Sequence, residues 1–136
     1  MTVVADASVA AKWYLLEPGR DLARALQSSE QVIAPEWILA EVLNIMWKNV
    51  RTGIAGADQV ALVVQSLPRQ FVKLFPVLPL LARAAEICLD LDHPIYDCFY
   101  VALAERERCT LVTADRKLYA KTRRTKYSSL VRILGS

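Results

Sequence analysis

The sequence predicts a three-layer α/β domain in which a central, mainly parallel β-sheet is flanked by helices. Short β-prone runs alternate with segments of helical periodicity, the runs are too short to build a sandwich, and no repeat or long linker interrupts their order. The chain has 136 residues, the size of one domain, and residues 1–136 are read as a single domain. Its 54% hydrophobic content suits a packed core and argues against general disorder.

Thr2 to Ala5 is short and partly β-branched, and reads as the first strand. After Asp6-Ala7-Ser8, the stretch Val9 to Glu17 suits a helix that Pro18-Gly19 stops. Asp21 to Ser28 gives a second short helix, and Gln31 to Ala34 a brief strand. Pro35 suits the first turn of the next helix, where a missing amide hydrogen costs nothing. That helix is expected from about Glu36 to Arg51, with Leu39, Val42, Leu43, Met46, Trp47 and Val50 as its apolar stripe. Glu41 and Asn44 share an adjoining face with Trp37 and Lys48. Ala55 to Leu67 repeats the helical pattern up to Pro68, Phe71 to Phe75 reads as a strand, and Pro79 or Leu80 opens a helix to about Leu91. Asp92-His93-Pro94 is a junction, with His93 read as a loop or capping residue. Pro94 then begins a helix to about Arg108, Cys109 to Thr113 forms a strand, Arg116 to Lys121 a short helix, and Ser129 to Leu134 a final edge strand.

Composition narrows the classes of function. The longest apolar runs, such as Val60 to Val64, are far short of the roughly 20 residues that a bilayer helix needs, so no membrane association is expected. Met1 to Asp6 carries no basic leader and does not read as a signal peptide. Cys88, Cys98 and Cys109 are odd in number and match no zinc-binding spacing; they read as free thiols and favour a reducing cytoplasm. Residues 1–115 carry a net charge of −4 and residues 116–136 a net charge of +7, which makes an acidic body with a basic C-terminal stretch. Such a stretch suits a polyanion held near an acidic, metal-charged centre. There is no glycine-rich phosphate loop, no dinucleotide fingerprint and no serine nucleophile elbow, and a single histidine rules out a two-histidine ribonuclease mechanism.

Four acids stand out instead. Binding sites in open parallel sheets form at the carboxyl ends of the strands, where Asp6 and Asp115 are expected. Helices supply Glu41, set among Leu39, Ala40, Val42 and Leu43, and Asp97, set between Tyr96 and Cys98. Each also has a local use: Asp6, Asp97 and Asp115 can cap or favour helix starts, and Glu41 can sit at the edge of its face. Converging carboxylates repel unless a cation offsets them. Magnesium or manganese accepts such hard oxygen ligands and can activate water toward a phosphodiester. Ser8 and Thr113 are hydroxyls placed to orient the carboxylates.

The motifs Val4-Ala5-Asp6-Ala7-Ser8-Val9, Pro35 to Val42, His93 to Ala104 and Leu111-Val112-Thr113-Ala114-Asp115, in that order, resemble the PIN-domain nucleases. Within that family the likeness is to the VapC-type toxins of bacterial and archaeal toxin–antitoxin pairs. It spans about residues 2–134. It implies a PIN-like fold, with Asp6, Glu41, Asp97 and Asp115 as the metal site and Ser8 and Thr113 bordering it. It also implies an endoribonuclease that uses magnesium or manganese, one or two ions, to cleave transfer or ribosomal RNA. A cognate antitoxin and a homodimer are the partners implied. Arg116, Lys117, Lys121, Arg123, Arg124 and Lys126 are candidate phosphate contacts. The rival readings are an inactive RNA-binding regulatory subunit, a phosphatase acting on small esters, and a DNase of the same fold.

Overall fold

Parallel pairing sets the architecture in this computed structural model, which describes residues 1–136. The strands are β1 (Thr2–Ala5), β2 (Gln31–Pro35), β3 (Lys73–Phe75), β4 (Thr110–Thr113) and β5 (Val131–Ile133). They form one sheet in the order β3-β2-β1-β4-β5, and every neighbouring pair is parallel. Parallel neighbours need crossovers, and helices supply them: α1 (Ala7–Ala10), α2 (Arg20–Ser29), α3 (Trp37–Arg51), α4 (Ala57–Ser66), α5 (Leu81–Leu91), α6 (Ile95–Arg106) and α7 (Arg116–Thr122). Val3, Val4 and Ala5 are buried in succession, as are Leu111, Val112 and Thr113. Because successive strand side chains point to opposite faces, both faces of the sheet are covered and the expected three layers follow.

The chain travels outward from β1 through β2 to β3, then crosses back to β4 on the other side of β1. That reversal opens a crevice beyond the carboxyl ends of β1 and β4. Helix α6 anchors the arrangement. Every residue from Cys98 to Ala104 is buried, and the helix packs on α5, β1, β2 and β4. A helix apolar around its whole circumference belongs inside a core rather than on a surface. No helix is long and apolar enough to cross a membrane.

Several boundaries differ from the sequence expectation, among them the final strand, which is only Val131–Ile133 because Ser128–Leu130 forms a 3₁₀ turn. The helix expected over Val9 to Glu17 is instead α1 followed by a 3₁₀ turn at Ala11–Trp13. Asp6 caps it two residues earlier, and the Trp13 indole donates to the Ala23 carbonyl at 3.0 Å, tying the turn to α2. Pro35 closes β2 rather than opening α3. The third strand is shortened to Lys73–Phe75; Phe71 and Val72 lie outside it, although the Val72 N–H still reaches the Val32 carbonyl at 2.9 Å.

The basic C-terminal stretch is partly built into the fold. Arg123 turns inward, and its guanidinium donates to the carbonyls of Tyr119 at 3.2 Å, Ser128 at 2.8 Å and Val131 at 2.5 Å. Tyr127 is buried, and its hydroxyl donates to Asp90 at 2.5 Å, which fastens the approach to β5 onto α5.

Leu111 is fully buried in β4, beside the centre of the sheet. Leu111→Ala should cost about 2–5 kcal/mol through lost transfer energy and the cavity left behind. Urea unfolding would show this as a lower midpoint at unchanged slope; a loss below about 1 kcal/mol would contradict the central placement of β4.

Candidate active site

The register of β1 against β4 creates the centre. Val4 pairs with Leu111 and Ala5 with Val112, so the next residues, Asp6 and Thr113, emerge side by side. The Thr113 hydroxyl donates to Asp6 Oδ2 and accepts the Asp115 backbone N–H at 3.0 Å. The Ser8 hydroxyl donates to Asp6 Oδ1 at 2.5 Å and accepts the Ala114 N–H at 2.9 Å. These two hydroxyls therefore staple the loop after β1 to the loop after β4. Their expected role as orienting groups has a definite geometry here.

Asp6 is 3% exposed and also caps α1 by accepting the Val9 N–H at 3.3 Å. Burial raises its pKa to about 6, against the opposing effect of the Ser8 and Thr113 hydrogen bonds, and the charge of Asp97 raises it further. Glu41, on α3, is raised to about 7, chiefly by burial. Tyr100 from α6 donates to Glu41 Oε1 at 2.5 Å and favours its ionised form, while Asp97 and Asp6 oppose it. Trp37 Nε1 is buried without a hydrogen-bond partner, yet lies near enough to Glu41 to favour its charge. Asp6, Glu41 and Asp97 thus form one electrostatically coupled group drawn from β1, α3 and α6.

Asp97 is engaged by a neighbour that the sequence reading missed. His93 lies in the α5–α6 junction, as expected of a loop residue, and its Nε2 is 2.6 Å from Asp97 Oδ2, which also makes it a partner of the acid. Its four-residue spacing from Asp97 was the available signal. Asp115 realises its local alternative. Its Oδ1 caps α7 by accepting the N–H groups of Lys117 at 2.9 Å and Leu118 at 3.4 Å. Its tie to Asp6 runs through Thr113.

No three acidic, imidazole or thiol side chains stand close enough, as arranged here, to share one ion. The donor chemistry nevertheless fits a hard divalent cation. Asp6 is a buried acid held by hydroxyl and amide donors rather than by a lysine or arginine. Glu41, Asp97 and Asp115 each commit one carboxylate oxygen to the chain and keep the other free. Such a set of oxygens is what magnesium or manganese accepts.

Of the tail cations, Lys117 and Lys121 line a cavity of about 560 Å³ with Asp92, His93 and Pro94. His93 therefore connects this basic recess to the acids. Arg116 and Arg124 are exposed, Lys126 pairs with Asp90 at 3.6 Å, and Arg123 is turned inward. The three cysteines are free, with Cys98 buried in α6.

Residues 3–124 match the PIN domain family. Ribonuclease VapC3 of Pyrobaculum aerophilum is 32% identical over 124 residues, which cover 89% of this chain and 95% of that protein. Ribonuclease VapC9 of Mycobacterium tuberculosis is 36% identical over 116 residues, covering 85% of this chain and 87% of that one. Among solved structures, PAE2754 from Pyrobaculum aerophilum superposes with a TM-score of 0.72 at 22% identity, over 98% of this chain and 84% of its own. VapC20 of Mycobacterium tuberculosis, described as a toxin that cleaves the sarcin–ricin loop, gives 0.70 at 17% identity over 88% and 95%. VapBC2 from Rickettsia felis, bound to a promoter DNA fragment, gives 0.65 at 12% identity over 98% of both chains. These structural likenesses are likenesses of fold.

The raised carboxyls fix how stability depends on pH. Between 3.8 and about 6 for Asp6, and between 4.5 and about 7 for Glu41, the folded chain keeps protons that the unfolded chain has released. Stability of the metal-free protein should therefore fall as pH rises through that window and level off above it. The Asp6 share is on the order of 3 kcal/mol. Asp6→Asn should flatten that share of the slope, and manganese or magnesium at neutral pH should raise the unfolding midpoint of the wild type. A midpoint that climbs from pH 4 to pH 7 without added ion would refute this account of the burial.

Proposed function

The chain belongs to the PIN domain family, and from that premise we propose that it is a ribonuclease toxin that hydrolyses RNA phosphodiester bonds with the help of a divalent ion. The observation that carries this reading is the coupled group of Asp6, Glu41 and Asp97, whose mutual repulsion a cation would relieve. Its relatives in Pyrobaculum and Mycobacterium carry the name ribonuclease, which supports the RNA-cleaving part of this reading.

Asp6, Glu41, Asp97 and Asp115 are the residues that would hold magnesium or manganese. Once bound, such an ion orients and acidifies water and offsets charge gained by the phosphodiester. The chain's own part is positional. Ser8 and Thr113 fix both oxygens of Asp6, Tyr100 fixes one oxygen of Glu41, and His93, with its proton on Nε2, donates to Asp97. Lys117 and Lys121 offer ammonium groups to backbone phosphates from the recess beside His93, where they add affinity and salt dependence rather than sequence choice. Transfer or ribosomal RNA is the proposed target and the cytoplasm the proposed place of action. A protein antitoxin is the proposed partner, which the likeness in fold to VapBC2 supports. A homodimer is proposed with it, covering apolar surface such as the half-exposed Trp47, Leu62 and Val64 on α3 and α4.

The test is cleavage of a cellular RNA pool by the purified protein, with magnesium, with manganese, and with excess chelator. Discrete fragments should appear with either ion, vanish in chelator, and be lost in Asp6→Asn and Asp97→Asn. His93→Ala should slow cleavage by roughly ten- to a hundredfold, the usual cost of removing a group that orients a metal ligand. RNA left intact by a folded protein that still binds it would transfer the assignment to a regulatory RNA-binding subunit.

A further inference from the structure

Beside the acids lies a recess that shares Glu41 with them and whose other lining residues the hydrolytic machinery does not use. It has a volume of about 430 Å³ and is lined by Trp37, Ala40, Glu41, Asn44 and Tyr96. That volume falls in the range of about 300–1,000 Å³ typical of small-molecule sites. Trp37 and Tyr96 stack in it, with ring centroids 5.6 Å apart and planes inclined by 16°. Tyr96 gives one face to Trp37 and still leaves 52% of its surface exposed. A large aromatic half in water at the lip of a charged site is not explained by core packing. Asn44, one helical turn beyond Glu41, is exposed and its amide makes no hydrogen bond within the chain.

We propose that this recess is a subsite for one unpaired nucleobase of the RNA, stacked on Tyr96 and hydrogen-bonded at its edge by Asn44. The inference rests on the ribonuclease reading and extends it to the form of the substrate. Every base has a π-face, so an exposed aromatic captures bases with little regard to sequence. The Asn44 amide offers both a donor and an acceptor to a base edge. Glu41 lines the same recess and is coupled to Asp6 and Asp97, so a base held there places its own phosphates next to the acids. Lys117 and Lys121 share a second recess with His93, the partner of Asp97, and are the candidate contacts for the strand's backbone. In a duplex the base faces are already stacked on one another, so this geometry selects single strands and loops.

The experiment measures binding in chelator, where hydrolysis does not intervene, by anisotropy of an end-labelled single-stranded oligoadenylate. A fully abasic strand of equal length and an oligoadenylate–oligouridylate duplex serve as comparisons. Tyr96→Ala should weaken binding of the oligoadenylate by roughly tenfold, as expected for loss of one base–aromatic stack. It should leave the abasic strand and the duplex unchanged. Tyr96→Phe should bind like the wild type, which separates stacking from loss of fold, and Asn44→Ala should weaken the oligoadenylate alone. Equal weakening of all three ligands, or none, would overturn the subsite; the second result would leave the aromatic pair to a protein partner. A wild type that does not bind the oligoadenylate overturns it as well. Base-dependent binding without cleavage in magnesium or manganese would sink the ribonuclease assignment and keep the subsite, whereas cleavage with an unaffected Tyr96→Ala would do the reverse.

Discussion

A carboxylate buried among hydroxyl and amide donors, with no basic side chain to neutralise it, is the constraint around which this molecule is organised. Asp6 can occupy its position only because Ser8, Thr113 and the Val9 amide satisfy its oxygens. Those donors exist in the right place only because β1 and β4 are adjacent and in register. The arrangement favours the ionised form without fully offsetting desolvation, and the pKa stays near 6. An acid held in this way is costly to the fold, and the ion of the proposed function would offset that cost.

Helix α6 solves a second problem, which is to bring charge to a crevice from within an apolar core. Its middle is buried on all sides, so its position against β1, β2 and β4 is set by packing. The polar groups it brings to the crevice come from its first two turns: Asp97 in the first turn, and Tyr100 one turn later, reaching Glu41 on α3. Rigid packing behind a polar end is what holds a reactive group to a narrow geometry. The junction before the helix contributes as well, because His93 folds back onto Asp97 across Pro94.

The layers and the strand ends were legible in the sequence because short apolar runs alternating with helical periodicity leave few topologies open. Asp6 and Asp115 could be placed after strands for the same reason. The partners of the acids were harder to see. Tyr100 and Glu41 are 59 residues apart, and their contact depends on how α3 and α6 are brought together, which no local pattern records. His93 was legible by spacing but masked by the proline that separates it from Asp97. The truncated first helix failed for a tertiary reason, since Trp13 finds its acceptor on α2. Arg123 looks like its neighbours in composition, and only the carbonyls that converge on it make it a structural residue.

The distance along the chain between Asp6 and Thr113 also bears on synthesis. The two residues are 107 positions apart, and β4 and β5 come from the last stretch of the chain. A ribosome therefore releases Asp6 together with Ser8 and Val9, long before Thr113, the third of its partners. Pairing over such separations forms late, because loop closure must precede the contacts that reward it. Until the segment carrying β4 has emerged, a nascent chain holds Asp6 solvated and unassembled, and the centre closes only when that segment pairs with β1.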